Sequence, residues 1–454
     1  MKKITLLVAV ILAVAVVAVP AFAAVQNVKV SGNVDNTYLY RKNFDFADDS
    51  SDGLETQSVF FTQAILRVDA ELTDQVAATI ALINERVWNA DPGTSHDDPE
   101  MDLYLAYVTL REMLYSPLTL VIGRQNFSYG NSFIIDSTGT NNTAPAESGI
   151  TSIAKDLTKQ TSLDAIRAIL DYNPLTVDIV FAVIDSGTTT LADAEDSINL
   201  YGTNANYKLG DSMDSVLEAY FWKKVDKSVN STAGNKSNEI LTLGGRGSTN
   251  PIEGLNLQTE LAYQKGSLNV ASAENRRRDA WGFQFITNYQ LPVLEEYNPT
   301  TQYVFTKVTG DSESGSSLID DSHAWDPMFE NQGGGTIYNT LFNLSNLEIH
   351  SLAFGVNPME DVLAKLSVHS LWLNQNVGTS SLSFSQPDGS SESLPIESEE
   401  ERHLGKELDF QLVYDYTEDV QIGGNLGWFF PGALFSTPDD NVAKQAIVNV
   451  NVAF

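Results

Sequence analysis

What most constrains this chain is the rhythm of its links. Segments of about 10 to 15 residues with alternating apolar and polar side chains recur from end to end. Eighteen can be read: 28–41, 59–73, 76–89, 100–114, 118–128, 163–173, 175–185, 197–209, 215–225, 239–248, 255–265, 279–291, 301–310, 346–357, 363–374, 406–417, 420–431 and 444–454. Behind each even-numbered segment the link is tight, as in Thr73-Asp74-Gln75, Tyr115-Ser116-Pro117, Asn173-Pro174 and Glu418-Asp419. Behind the odd-numbered ones, past the first few, it is long, reaching 129–162, 311–345 and 375–405. A transmembrane strand takes roughly 9 to 11 residues, and a bilayer-spanning meander has short periplasmic turns and long external loops. A soluble sandwich has no reason to gather its long loops at one end. The expected fold is all-β: a transmembrane antiparallel up-and-down β-barrel of about 18 strands, with both termini in the periplasm.

The strand faces agree. In 406–417, Leu408, Phe410, Leu412, Tyr414 and Tyr416 alternate with Glu407, Asp409, Gln411, Asp415 and Thr417. In 279–291, Trp281, Phe283, Phe285, Tyr289 and Leu291 oppose Gln284 and Asn288. Apolar side chains toward lipid and polar ones toward a lumen describe a water-filled barrel; a lipocalin-like barrel would be reversed. Eighteen strands enclose a lumen too wide for wall side chains to fill, so something must pass through it or plug it.

The ends of the chain set the compartment. Met1-Lys2-Lys3 precedes an apolar run from Leu6 to Val19, and Ala21-Phe22-Ala23 supplies the small-x-small pattern of a cleavage site. Residues 1–23 are therefore expected to be a signal peptide and 24–454 a single outer-membrane barrel domain. The run is short for a spanning helix, which needs roughly 20 residues. No later stretch reaches 12 consecutive apolar residues, so a mature membrane form must be a closed barrel, which satisfies every backbone N–H and C=O within lipid. At the other end Ala446, Val448, Val450, Val452 and Phe454 share one parity, and Asn449 and Asn451 the other. A terminal Phe on the apolar parity resembles the signal read by the barrel-assembly machinery of Gram-negative outer membranes.

The net charge of −32 argues against nucleic acid as a partner. With no cysteine, thiolate metal sites and covalent haem are excluded. Acidic residues collect in Asp45–Glu55, Asp97–Asp102, Asp311–Asp321 and Asp388–Glu401, loop-like stretches without calcium-loop spacing. Solvation is their ordinary role, and bridging to lipopolysaccharide through divalent cations is a further one. Arg276-Arg277-Arg278 is expected in an external loop, solvated or touching a polyanion. Catalysis has little to stand on: the five histidines are His96, His323, His350, His369 and His403, and no Gly-x-Ser-x-Gly is present. Neither cofactor nor catalytic residue is expected. Ile150, Ile153, Ala154 and Leu157 follow roughly helical spacing, which suits a loop helix that either narrows the lumen or caps the rim.

Val121-Ile122-Gly123-Arg124-Gln125-Asn126-Phe127-Ser128-Tyr129-Gly130-Asn131 resembles the Gly-Arg-Gln…Tyr-Gly segment of the alginate-export family of outer-membrane proteins. His403-Leu404-Gly405-Lys406-Glu407-Leu408-Asp409 and Trp428-Phe429-Phe430-Pro431-Gly432 are similar to that family's closing hairpin, and Trp325-Asp326-Pro327-Met328-Phe329 to the region between. The resemblance implies an 18-stranded barrel whose loops constrict the lumen and whose arginine-rich passage conducts a polyuronate. This interior is more mixed. Strand parity offers Arg67, Arg167 and Lys365 as lumen cations, with Arg124 added only if Gly123 introduces a bulge. Asp178, Glu260 and Asp409 share the lumen with them, and His369 shares the parity of Lys365. The expected function is an outer-membrane porin passing small hydrophilic solutes or an acidic saccharide. A scaffold or sheath around a periplasmic or surface partner, such as an electron-transfer protein, is the alternative. For ions, the acidic mouth is expected to outweigh Arg67 and Arg167 and give a weak cation preference in dilute salt.

Overall fold

The computed structural model describes residues 27–47, 56–88, 101–138, 150, 153–184, 198–227, 237–268, 276–311, 321–332, 334–377, 380–435 and 440–454. The expected leader, His96 and most of the acidic stretches 97–102 and 311–321 lie outside them.

Twenty strands are described: β1 (Asn27–Lys42), β2 (Thr56–Thr73), β3 (Val76–Val87), β4 (Asp102–Leu110), β5 (Leu118–Gln125), β6 (Leu163–Asp171), β7 (Leu175–Ile184), β8 (Ile198–Lys208), β9 (Val216–Asp226) and β10 (Asn238–Ile252) in the first half. The second half holds β11 (Leu255–Leu268), β12 (Arg276–Gln290), β13 (Thr300–Val308), β14 (Leu347–Met359), β15 (Val362–Leu373), β16 (Ser381–Ser385), β17 (Ser391–Pro395), β18 (His403–Thr417), β19 (Val420–Pro431) and β20 (Ala443–Ala453). Eighteen of them form one antiparallel sheet in which each strand pairs with the barrel strands before and after it in sequence, β15 with β18 included. β1 pairs with β20 as well as with β2, so the sheet closes. Closure leaves no edge, as lipid requires. Each of the eighteen alternating segments coincides with one barrel strand.

Outward parity carries the apolar residues. Phe60, Leu66, Ile80, Ile166, Ile179, Leu261, Leu352 and Phe410 are all exposed. Inward parity carries Asp35, Gln63, Glu85, Asp178, Asn204, Glu260, Gln284 and Glu407, all buried. Burial of the inner wall means that chain, rather than water alone, lies against it. The chain passes from β15 to β18 through a 29-residue excursion, 374–402, that holds a small hairpin, β16–β17. Phe384 and Leu394 of that hairpin are buried, with Phe384 stacked on Phe46 at 5.3 Å.

Arg276-Arg277-Arg278 opens β12 instead of lying in a loop, a correction to the sequence reading. Each arginine meets a carboxylate: Arg276 with Asp311 at 2.9 Å, Arg277 with Asp321 at 3.1 Å and Arg278 with Asp326 at 3.4 Å. The run ties down the β13–β14 excursion.

Candidate functional site in the lumen

Three chain segments fold into the barrel, and side chains of the inner wall hold each of them. The first follows β5. Gly123 has φ +123°, and a Cβ there would lie 2.1 Å from the carbonyl oxygen of Ala106, so only glycine fits. Gln125 is buried and its amide donates to the carbonyls of Val121, Gly123 and Ala165. From there the chain turns inward. Tyr129 Oη donates to Asp178 at 2.9 Å, and its ring and that of Phe127 lie within 6 Å of the Arg167 guanidinium. Gly130, at φ +58°, fits its backbone against Arg246, Glu218 and Glu260, and a Cβ would lie 3.1 Å from Arg246 Cδ. The Gly-Arg-Gln…Tyr-Gly pattern thus encodes a strand end and a loop tip seated on the lumen wall.

The second segment, 321–346, lies across the first. Phe329 N donates to Ile134 O at 3.1 Å and Asp136 N to Phe329 O at 2.7 Å. Phe133 and Trp325, both fully buried, stack at 5.8 Å. Together with wall residues Trp222, Ala262, Ala280 and Val308 they form an apolar core inside the barrel. Glu407 of β18 fixes its far end: Oε1 accepts from Thr336 N at 2.6 Å and Ile337 N at 2.8 Å, and Oε2 from Tyr338 N at 2.7 Å. Those amides open the single turn of helix Tyr338–Leu341, whose unpaired N–H groups suit a carboxylate.

The third segment contains the residues with helical spacing. Among the described residues it forms a 3₁₀ turn, Lys155–Leu157, and it packs inside the lumen. Ile150 and Ala154 are fully buried against Leu39, Phe61 and Val87, inward residues of β1–β3. Arg41 pairs with Asp156 at 2.5 Å and Lys159 with Asp35 at 3.1 Å. Glu85 accepts from Lys159 N at 2.8 Å.

The sequence-derived residues separate on this frame. Arg67 faces inward and pairs with Asp69 of its own strand at 2.8 Å. Arg167 pairs with Asp178 on the next strand. Glu260 accepts from Tyr220 Oη at 2.7 Å beside the Arg246–Glu218 pair, which is 2.8 Å long. Asp409 accepts from Thr336 Oγ1 at 2.7 Å, and the ring of His369 lies 3.3 Å away. Arg124 does not face the lumen. The register runs through Gly123 without a bulge, so Arg124 keeps the outward parity of Ile122 and makes a two-bond pair with Asp164 on β6. That partner removes the cost of a bare charge at the lipid face. His350 also points outward, with its ring against Phe305 and Trp372, and so does not join His369.

Arg246, Arg41 and Lys224 are lumen cations beyond those read from sequence; Lys224 holds Asp326 at 3.0 Å. Lys365 differs from all of them, having no acidic partner among the described residues. It borders a cavity of about 260 Å³ along the β12–β15 wall, with Gln284, Gln302, Ser367, His369 and Tyr338. A second cavity of about 340 Å³ shares Gln302, Ala353 and Lys365 and continues past Asn288 and Asn256 toward the short turns. These two cavities follow the side lined by amides and hydroxyls, a further one of about 680 Å³ opens at the β18–β20 turns beside Asp415 and Asn451, and chain packs against much of the ion-paired side, with the Arg67–Asp69 pair left part-exposed.

Solved structures of proteins from two bacteria share this fold. Acinetobacter baumannii OccAB2 superposes with a TM-score of 0.58 at 11% identity, over 95% of this chain and 99% of that one. Pseudomonas aeruginosa OccK2 (OpdF), solved with glucuronate, gives 0.57 at 11% identity over 95% and 99%. OpdK of the same organism, solved with vanillate, gives 0.55 at 12% identity over 95% and 100%. No curated protein matches the sequence significantly. The family model for alginate export matches residues 25–449, and with an 18-stranded closed barrel narrowed by its own loops the chain belongs to the alginate-export family of outer-membrane channels.

Proposed function

We propose that this channel passes small hydrophilic solutes, single acidic sugars among them, along the β12–β15 wall, with Lys365 meeting the solute's carboxylate. The observation that carries this reading is the asymmetry of the lumen. Its arginines are occupied by Asp69, Asp178, Glu218 and Asp156, and Lys365 stands beside open space without an acidic partner among the described residues. A wet, amide-lined passage spares a solute its desolvation, and one unpaired cation selects by charge. Glucuronate and vanillate, the ligands of two fold relatives, are carboxylates of that kind. A sheath around a threaded partner is disfavoured, because the chain's own loops take up the space such a partner would need.

Swelling of proteoliposomes in isotonic glucuronate and in glucose tests the reading. Lys365→Glu should lower the glucuronate rate severalfold relative to glucose. An unchanged ratio would remove Lys365 from the path.

A further inference from the structure

One row on the outward face departs from the pairing seen elsewhere. Lys406 on β18, Lys444 on β20 and Lys42 on β1 share the parity of lipid-facing Phe410, Val448 and Tyr40. In register, Lys42 stands opposite Lys444, Lys444 opposite Trp428, and Phe430 opposite Lys406. Three lysines and two aromatic residues therefore form one band across four adjacent strands, at the end that carries the long loops. Like charges directly opposite one another destabilise a strand pair. None of the three lysines has an ion-pair partner among the described residues. Other outward cations do: Lys223 with Glu239 at 2.8 Å, Lys307 with Glu348 at 2.6 Å and Arg124 with Asp164 at 3.0 Å. Lys265 faces Asp279 in register. In a chain with 59 acidic and 27 basic residues, three lysines left together at the membrane edge call for an anion from outside the protein.

We infer that this band binds the phosphate of a phosphorylated outer-leaflet glycolipid. Lysine stems lie along the apolar surface while their ammonium groups reach the headgroup level, where each acts as a compact point charge for phosphate. Trp428 and Phe430 between them suit the boundary between sugar and acyl chain. The inference depends on the long loops facing outward, and not on which solute the lumen carries.

The full-length barrel, purified in detergent, can be titrated with bis-phosphorylated lipid A and followed by native mass spectrometry. A lysine at an anionic lipid surface is worth about fivefold in affinity. Lys42→Gln/Lys406→Gln/Lys444→Gln should therefore bind on the order of a hundredfold more weakly, and Lys223→Gln/Lys307→Gln about as well as wild type. Gel mobility before and after heating reports that each barrel is intact. Lys444→Gln alone, expected to lose about fivefold, carries the test if the triple variant fails to assemble. The inference is overturned if the lysine variants bind like wild type, or if dephosphorylated lipid A or phosphatidylglycerol binds equally well. Complete displacement by inorganic phosphate at low concentration would also overturn it, leaving a plain anion site.

Discussion

Replacing Glu407 by alanine should open the channel without opening the barrel. The Glu407 carboxylate is fully buried and accepts three backbone N–H groups from Thr336, Ile337 and Tyr338, at 2.6, 2.8 and 2.7 Å. Removing it leaves three buried donors unpaired, at roughly 1–3 kcal/mol each. Even the lower bound, about 3 kcal/mol, shifts a docked–undocked equilibrium more than a hundredfold. Segment 334–346 should leave the wall, because water outside the lumen can satisfy the same amides. Glu407→Gln keeps one acceptor oxygen for Thr336 N and Ile337 N and turns its NH₂ toward Tyr338 N, so it should show roughly a third of the alanine effect. The 18-strand ladder is untouched in both variants. In planar bilayers the alanine variant should show a larger and noisier single-channel conductance than wild type, with glutamine between, and segment 334–346 should become cleavable by protease. Wild-type conductance and protease resistance in the alanine variant would refute the idea that Glu407 holds this loop in the lumen.

Other consequences can be checked separately. Burial pushes the Glu330 carboxyl from 4.5 up to about 7, with Asp136 adding to the effect. Stabilisation of the docked loop by protonated Glu330 is thus complete below about pH 4.5 and lost as pH rises through 7; conductance should rise over that range, and Glu330→Gln should flatten the profile. Arg124→Met/Asp164→Leu should leave the reversal potential in a salt gradient unchanged, since the pair lies on the outer face; a shift would return Arg124 to the lumen. Neutralising both members of each pair, Arg67→Ala/Asp69→Asn and Arg167→Ala/Asp178→Asn, should move that potential only slightly, because each pair already carries no net charge; a large move would show that the arginines act as free charges. Phe454 packs on Gly32 and exchanges two backbone bonds with it, Gly32 N to Phe454 O at 2.8 Å and Phe454 N to Gly32 O at 3.0 Å. Its deletion should lower the amount of barrel in outer-membrane fractions, and normal levels would exclude a role in assembly.

Strands were legible because lipid imposes one rule on every residue of a face. Phe410 and Asp409 need only their own parity to be placed. Charged residues were harder, because their placement depends on partners distant in sequence. Arg124 had the right parity for lipid, and what makes that tolerable is Asp164, supplied by the β5–β6 register. Arg246 sits in Gly244-Gly245-Arg246-Gly247-Ser248, where glycines erase the alternation, and its lumen position emerges only opposite Glu218 and Glu260. The β16–β17 hairpin hid within an acidic, serine-rich stretch, since its two buried anchors, Phe384 and Leu394, gain meaning only against Phe46 and Phe342. Docking of the loops was the least accessible feature. Tyr129 and Gly130 marked a family segment, but nothing local to them names Asp178 or Arg246 as the wall they meet.

The location of the open path is the account's central claim, and the absence of cysteine from the chain allows a direct measurement. Single cysteines can be placed at Gln302, on the β13 wall shared by both cavities, and at Asn204, inward on β8 on the filled side. Each is then exposed to a charged thiol reagent while current is recorded across a planar bilayer. Modification at Gln302→Cys should block most of the current, and Asn204→Cys should change it little. Block at Asn204→Cys with none at Gln302→Cys would place the path on the opposite wall and contradict the account.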